Sequence, residues 1–489
     1  MRLSNIIAHI EYACEHFRDG EIADIVYDSR KASAGALFVC LRGALADGHN
    51  FAESAYGNGA RFFLAEEPLP LPADAVVLIT ENTRAALAAV SADFFGHPEK
   101  ELKVVGVTGT KGKTTVTHML RHCLDAAGIR SGVIGTVGAY YGDTFVPTVN
   151  TTPESYETLK LLRQMKDAGC EAVCMEVSSL GLKHHRVDGI RFFEAVFTNL
   201  SPDHIGGAEH DSFEEYVYWK RQLFCRCDHA TLCADDAYTE TLKNLLTVPY
   251  VTYSAFADAD VRAENISKYH ENNLFGERFT CVSGGETATV TTAQPGLFSV
   301  QNALACIAVC LRFGVPLETA AAAMKTARVR GRNECVPVPA DYNVVIDYAH
   351  NGQSFHSVID TFADYPHNRL ITVFGSVGDR AQLRRAEMGA VSGAKADLSV
   401  ITTDDPGFED PANIAADIAA AVKEAGGACE IVLDRTAAVH RALSLAEPGD
   451  IILLLGKGHE TAQKVRGKKE HYSDYEAVAS YYAATKKEN

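Results

Sequence analysis

Two rhythms of hydrophobic and polar positions alternate along the chain. Short apolar runs at 35–41 and 75–79, set among Gly- and Asn-rich turns, read as strands and predict a small α/β unit at the N-terminal end. A polar stretch at 96–101 separates them from Leu102-Lys-Val-Val-Gly-Val-Thr108, a buried strand that opens a second domain near residue 100. From there, strand-like runs at 172–177 and 195–198 alternate with helical periodicity such as that of 156–168. That order predicts a mainly parallel sheet with helices on both faces. An alanine-rich helical segment ends near Ala327, and beyond Arg332 the pattern restarts with runs at 342–347, 370–374, 398–401, 430–433 and 450–455, a second doubly wound unit. The expected class is α/β, with domains at 1–100, 101–330 and 331–489.

Composition narrows the function classes. A chain of 489 residues is long for one core and suits about three domains. Hydrophobic residues at 47% and charged residues at 22% give the balance of a globular protein. The net charge of -17 would repel a phosphate backbone, so no nucleic-acid partner is expected. The first residues lack the apolar core of a secretory signal, and the longest apolar run near the end, 451–455, is far too short to cross a bilayer. Neither export nor membrane insertion is expected. The thirteen cysteines are scattered, without paired Cys-x-x-Cys spacing, and read as reduced thiols; Cys225 and Cys227 lack the second pair a zinc site needs.

The strand at 104–108 runs into Gly109-Thr-Lys-Gly-Lys-Thr-Thr115 and then into a helical pattern. Glycines let backbone wrap phosphates, a lysine supplies a point charge, and the next hydroxyl can hold magnesium at the helix N-terminus. Gly109, Thr110, Lys111, Gly112, Lys113, Thr114 and Thr115 are therefore candidate ATP-binding residues. The spacing departs from the strict G-x-x-x-x-G-K-[ST] form, because Val107 stands where its first glycine would be. A motor or switch GTPase could use such a loop too. The run resembles the nucleotide loop of the Mur ligase family, which builds the cell-wall stem peptide and includes folylpolyglutamate synthetases. That resemblance implies Lys113 on the ATP phosphates and Thr114 on magnesium.

Three further segments turn a nucleotide loop toward ligation. Met175-Glu-Val-Ser-Ser-Leu-Gly-Leu182 puts Glu176 at the end of a buried strand, where a carboxylate is costly unless paired or bound to a cation. Thr198-Asn-Leu-Ser-Pro-Asp-His204 is another strand end, the place where open α/β sheets bind ligands. Lys220 lies on an amphipathic helix at 214–224, where a lone lysine is usually a solvated charge. The order of Glu176, His204 and Lys220 is similar to that in the Mur ligases. The resemblance implies a catalytic set of Lys113, Glu176, His204 and Lys220, and two magnesium sites held by Thr114, Glu176, His204 and Lys220. It also implies that carbon dioxide carbamylates Lys220, which requires a neutral amine. Asn302, Arg332 and Asp347 match the family's adenine, phosphate and ribose contacts. ATP contacts on two domains imply closure over the nucleotide.

The ends of the chain carry the substrate resemblances. Tyr27-Asp-Ser-Arg30, 35–39 and Asp47-Gly-His-Asn-Phe51 together look like the UDP-sugar-binding domain of members that add the third stem-peptide residue, and Asn150-Thr-Thr-Pro153 fits their muramyl-dipeptide contact. Implied UDP-sugar contacts are Ser29, Asn150, Thr151, Thr152, Ser178 and Arg186. Gly375-Ser-Val-Gly-Asp-Arg380, Asp404-Asp-Pro-Gly407 and Gly456-Lys-Gly-His-Glu460 match the amino-acid pocket. They imply Arg380, Asp404, Asp405, Gly407, Gly456 and Glu460 as contacts. Members that add meso-diaminopimelate carry Asp-Asn-Pro-Arg at the second motif, whose arginine can clamp the distal carboxylate. Gly407 in its place, with Asp405 beside it, favours a distal ammonium, hence L-lysine or ornithine. Asp203-His-Ile-Gly-Gly207 and Ala349-His-Asn-Gly352 also depart from the family pattern. The implied reaction is ATP-dependent amide formation between UDP-MurNAc-dipeptide and a free amino acid, through an acyl phosphate, and the resemblance also implies a cytoplasmic location and a monomer. The rivals are another amide ligase of this fold, such as a folylpolyglutamate or amino-acid-polymer synthetase, and a non-catalytic nucleotide-gated binder.

Overall fold

The computed structural model describes residues 1–43, 46–202, 205–206, 209–271, 274–379 and 382–488, the last four of these as backbone. Contacts gather the chain into two compact units. The first holds Met1–Arg262, Val282–Thr287 and Gln301–Ala323; the second holds Ala263–Cys281, Ala288–Val300 and Met324–Asn489.

The first unit begins with a parallel four-stranded sheet in sequence order: β1 (Asp24–Val26), β2 (Ala36–Val39), β3 (Phe62–Ala65) and β4 (Val76–Ile79). Strand β2 is buried on both faces, and its period of two is visible in where its side chains go. Leu37 and Val39 join a core with Leu3, Ile6, Leu87 and Val90, whereas Ala36 and Phe38 join a second core with Ala52, Ala55 and Phe63. The helix Thr83–Phe95 closes the first face. Asn82 caps it by accepting from the backbone N–H of Arg84 and Ala85 at 3.0 and 3.1 Å, and Gly96 ends it in the left-handed region.

A larger sheet follows in the same unit: β5 (Lys103–Thr108), β6 (Ser131–Gly135), β7 (Gly138–Tyr141), β8 (Thr144–Val146), β9 (Ala172–Glu176), β10 (Glu194–Phe197), β11 (Ala230–Cys233) and β12 (Tyr250–Ser254). These eight strands run in the order β12-β11-β10-β5-β9-β6-β7-β8 within an 11-stranded sheet, parallel from β12 to β6 and antiparallel through β7 and β8. Strand β5 is central, which is why all of it after Lys103 is buried. Both β9 and β10 flank β5, so residues at their C-terminal ends, Glu176 and Thr198 among them, converge on the turn after Thr108.

The second unit carries most of β13 (Val261–Glu271) and β14 (Leu274–Ser283) and part of β15 (Glu286–Thr291). Phe275 of β14 stacks on His270 at 4.2 Å and meets Tyr365 edge-on at 5.0 Å, and the Tyr365 hydroxyl donates to the Gly276 carbonyl at 2.8 Å. These contacts account for the grouping of β13 and β14 with the later residues. A six-stranded sheet completes the unit: β16 (Glu334–Val336), β17 (Asn343–Asp347), β18 (Leu370–Phe374), β19 (Leu398–Ile401), β20 (Cys429–Ile431) and β21 (Ile451–Leu455), in the order β16-β17-β21-β18-β19-β20, parallel except for β16. Aliphatic and aromatic cores cover both faces, and a hairpin, β22 (Ala462–Val465) and β23 (Lys468–His471), follows. The fold is α/β with a mostly parallel central sheet, as the alternation of runs predicts. No helix among the described residues is long and apolar enough to cross a membrane.

Candidate active site

The turn after β5 is shaped by two glycines that no other residue could replace without movement. Gly109 has φ +152°, and a Cβ there would lie 1.9 Å from Thr198 Oγ1; Gly112 has φ +86° and caps the helix Lys113–Ala126. Thr198 and Asn199 hold the turn from the neighbouring strand end. Thr198 Oγ1 donates to the Lys111 carbonyl at 2.7 Å, Asn199 Oδ1 accepts from the Lys111 N–H at 2.9 Å, and the Asn199 carbonyl accepts from the Thr110 N–H at 2.9 Å. Lys113 folds back over the loop and donates to the carbonyls of Gly109 at 2.7 Å and Thr110 at 2.9 Å. The buried Lys220, on the helix Phe213–Arg221, donates to the same Gly109 carbonyl at 2.8 Å. Two lysine ammonium groups from distant parts of the chain thus end on one oxygen of the glycine loop.

Glu176 forms the second half of this site. It is 1% exposed, and its carboxylate accepts from Thr114 Oγ1 at 2.9 Å, from the Thr136 N–H at 2.7 Å and from Thr136 Oγ1 at 3.2 Å. The hydroxyl and the carboxylate are both hard oxygen donors of the kind magnesium takes. A Cβ at Gly135 would sit 2.1 Å from Glu176 Oε1, so that glycine makes room for the carboxylate. Tyr216 and Thr136 also belong to this site: the Tyr216 hydroxyl lies 3.2 Å from Thr110 Oγ1, and its ring lies 4.5 Å below Lys220 Nζ. Neither has a sequence signature, because a tyrosine on a helix and a threonine in a turn are ordinary. Asn302, on the helix Leu297–Arg312, reaches the loop: a Cβ at Gly112 would lie 2.8 Å from its Oδ1. His204 lies outside the described residues.

On the other side of Glu176, Thr152 Oγ1 donates to the Glu176 carbonyl at 3.0 Å and lies 3.1 Å from Ser178 Oγ, and Thr151 Oγ1 lies 3.0 Å from Thr136 Oγ1. Arg186 donates to Glu154 through Nε at 3.0 Å and to the Thr152 carbonyl at 3.2 Å, and Arg84 joins Glu154 at 3.1 Å. Thr151, Thr152, Ser178 and Arg186 therefore form one continuous edge beside the Glu176 node. Burial, reinforced by Arg84 and Arg186, lowers the His184 imidazole to about 4. Ser29 is buried and opens a short 3-10 turn capped by Asp28, while Asn150 is half-buried in the loop before Thr151.

In the second unit, Lys457 collects the acids of the pocket motifs. Fully buried, it lies 2.6 Å from Glu460, 2.8 Å from Asp405 and 3.6 Å from Asp404. Burial alone would lower its pKa; Asp404, Glu460 and Asp405 outweigh that and raise it. The three acids are close enough to hold a metal, but the ammonium already fills the place of a cation. Asp405 also accepts from the Lys464 N–H at 3.0 Å. It is thus a paired acid, where the sequence alone reads it as open to a distal ammonium. A Cβ at Gly407 would lie 2.0 Å from Asp379 Oδ2, so the Asp379 carboxylate occupies the space beside Gly407. A cavity of about 540 Å³ adjoins it, lined by Gly407, Phe408, Glu409, Arg466 and Lys468 among others. Arg380 lies outside the described residues. A Cβ at Gly456 would lie 2.5 Å from Asp404 Oδ2. Asp347, raised in pKa by burial against the pull of Arg332, accepts from the N–H groups of Asn333 and Ala349, both at 2.7 Å. Arg332 lies over the Tyr348 ring at 4.8 Å.

Comparison with known proteins places this geometry in a family context. The model of the Mur ligase family catalytic domain matches residues 21–95, that of the Mur ligase middle domain 107–310, and that of the Mur ligase glutamate ligase domain 331–458. A UDP-N-acetylmuramoyl-L-alanyl-D-glutamate–2,6-diaminopimelate ligase of Clostridium botulinum is 35% identical over 98% of this chain and 99% of its own length. The protein of the same name from Caldanaerobacter subterraneus subsp. tengcongensis is 36% identical over 100% of both chains. Among solved structures, a ligase of that name aligns over 95% of each chain with a TM-score of 0.69 and 26% identity.

Proposed function

The chain belongs to the Mur ligase family, and from that membership we propose that it joins a diamino acid to the D-glutamyl γ-carboxylate of UDP-N-acetylmuramoyl-L-alanyl-D-glutamate at the expense of ATP. One observation carries the reading. Lys113 and Lys220 meet at the Gly109 carbonyl, while Thr114 and Glu176 present a hydroxyl–carboxylate pair beside the same loop. A plain nucleotide binder needs the first lysine and the threonine but not the buried Glu176 and Lys220. Residues 1–100 hold the UDP-sugar, 101–330 run the ATP chemistry, and 331–489 receive the amino acid.

In this reading the γ-carboxylate attacks the γ-phosphorus of ATP, breaking the bond to the β-phosphate and releasing ADP, and the incoming amine then displaces phosphate from the acyl phosphate, losing a proton to leave an amide. Lys113 exchanges its loop carbonyls for phosphate oxygens, a movement of one side chain. Magnesium, when bound, neutralises phosphate charge; Thr114 and Glu176 would hold one ion, His204 and carbamylated Lys220 the other. The glycine loop positions the phosphates and keeps the reacting groups aligned. Thr151, Thr152, Ser178 and Arg186 line the edge along which the muramyl peptide reaches Glu176.

For the amino acid we favour L-lysine or ornithine. The Asp379 carboxylate beside Gly407 stands where a carboxylate clamp would have to be, and an acid there attracts a distal ammonium. meso-Diaminopimelate is the second reading, supported by the relatives' names and by Arg466 and Lys468 in the adjoining cavity. Phosphate release with the UDP-dipeptide, ATP and each amino acid tests both levels. Release only with L-lysine or ornithine is expected. A preference for meso-diaminopimelate would overturn the specificity alone, and no release with any amino acid would overturn the ligase.

A further inference from the structure

A second cluster of chemistry-bearing side chains lies away from the nucleotide loop, where the helix Thr83–Phe95 ends. Asp93 is in its last turn, and its carboxylate, 8% exposed, lies against two imidazoles. His9 Nδ1 lies 2.9 Å from Asp93 Oδ1 and 3.0 Å from Oδ2, and His97 Nε2 lies 3.0 Å from Oδ1. His97 reaches back because Gly96 and His97 both adopt the left-handed conformation, with φ +70° and +56°. One ligand atom from each residue falls within 4.8 Å of the others. Behind this group, Glu99, 5% exposed, takes His97 Nδ1 on Oε1 at 2.8 Å, and its other oxygen is buried without a hydrogen-bond partner.

We propose that His9, Asp93 and His97 form a binding site for a divalent transition metal, of which zinc is the probe, with water as the fourth ligand. The donor set is two imidazole nitrogens and one carboxylate oxygen, which suits zinc and is poor for magnesium. Without an ion both His97 nitrogens face carboxylates, and a bound metal would take the place of the proton on Nε2. With the Nδ1 proton of His97 donated to Glu99, Nε2 keeps its lone pair for the metal, the carboxylate–histidine–metal relay found around such sites. The orphaned Glu99 oxygen adds uncompensated negative charge that a dication offsets. Zinc bonds of about 2.0–2.2 Å place ligand atoms somewhat more than 3 Å apart in a tetrahedron. The present 2.9 and 3.0 Å separations open to that by small side-chain rotations, and His9, 68% exposed, is free to make them. The ion would pin the N-terminal segment to the end of the helix and the turn Pro98–Lys100 that leads into β5. Its role is structural and separate from the ions of the ligase reaction.

The test uses the full chain stripped with chelator and titrated with zinc chloride by calorimetry, in the absence of nucleotide. One equivalent is expected to bind and to raise the melting temperature. His97→Ala and His9→Ala should each weaken binding by more than about tenfold, and Glu99→Gln by up to about tenfold, with magnesium-dependent ligase activity unchanged. Cobalt should give a tetrahedral visible spectrum without thiolate charge-transfer bands, lost in His97→Ala, which excludes the exposed Cys225 as the ligand. Zinc binding that both histidine substitutions leave intact, or no binding at all by correctly folded protein, overturns the proposal.

Discussion

Replacing Glu176 by glutamine separates the two tasks of its carboxylate. In the fold the carboxylate accepts from the Thr136 N–H, Thr136 Oγ1 and Thr114 Oγ1 while 1% exposed. A glutamine fills the same volume, keeps an oxygen for the Thr136 N–H and offers an NH2 group to which both threonine hydroxyls can turn lone pairs. What the fold loses is the margin of charged over neutral hydrogen bonds, about 1 kcal/mol each. Relief from burying a charge offsets part of that loss. The net destabilisation should be about 1–2 kcal/mol, or a few degrees of melting temperature. A cation beside Thr114 would instead meet an amide N–H in place of a full negative charge. Turnover should therefore fall by about 100-fold or more, the scale of losing one charge-stabilising group, and the magnesium requirement should rise. Phosphate release across a magnesium titration, with melting temperatures on the same samples, reads both quantities. Near wild-type turnover at low magnesium would refute the reasoning, and so would an activity loss that merely tracks unfolding.

Other perturbations probe other parts of the structure. Gly109→Ala places a Cβ 1.9 Å from Thr198 Oγ1 at a φ of +152°, so the loop must shift and calorimetric ATP binding should be lost while far-UV dichroism is kept. The Arg435–Asp474 pair has no exposed side-chain surface, so Arg435→Met alone should cost about 3–5 kcal/mol by urea denaturation, and adding Asp474→Leu should recover most of it. Burial and the charges of Arg332, Arg330 and Lys457 push the His459 imidazole from 6.5 down to about 4. Between those values the unfolded chain binds a proton that the folded chain resists, so stability should fall as pH drops from 6.5 toward 4 and stay flat above. His459→Gln should make that part of the profile shallower, leaving the contribution of His184, which is lowered over the same range.

The parts of the molecule that were legible in the sequence are those whose signal is local. The nucleotide loop is one: a buried strand, a glycine turn and a helix lie in consecutive residues, and they appear as β5, Gly109–Gly112 and the helix Lys113–Ala126. The strands of the six-stranded sheet are continuous apolar runs because they are buried on both faces, which is why β17, β18, β19 and β21 match predicted runs closely. Strands β13 to β15 escape such a reading. Residues of β13 such as Glu264, Ser267 and Lys268 leave no clean alternation, and the strand is fixed by pairing and by the packing of Phe275 on Tyr365, residues far apart in sequence. The amino-acid pocket shows a subtler limit. Asp405 reads as a spare acid in its motif, yet Lys457, more than fifty residues later, neutralises it, and Asp379 takes the position next to Gly407. Charge balance of that kind depends on which strand ends the sheet brings together.

The central claim is that the glycine loop, Lys113 and Glu176 serve the transfer of a phosphoryl group to a carboxylate. Synthesis from UDP-dipeptide carrying 18O in the D-glutamyl γ-carboxylate tests it most directly, by mass spectrometry of the released phosphate. One labelled oxygen should appear in phosphate for each amide formed. Phosphate free of label, with the amide still made, would contradict the account.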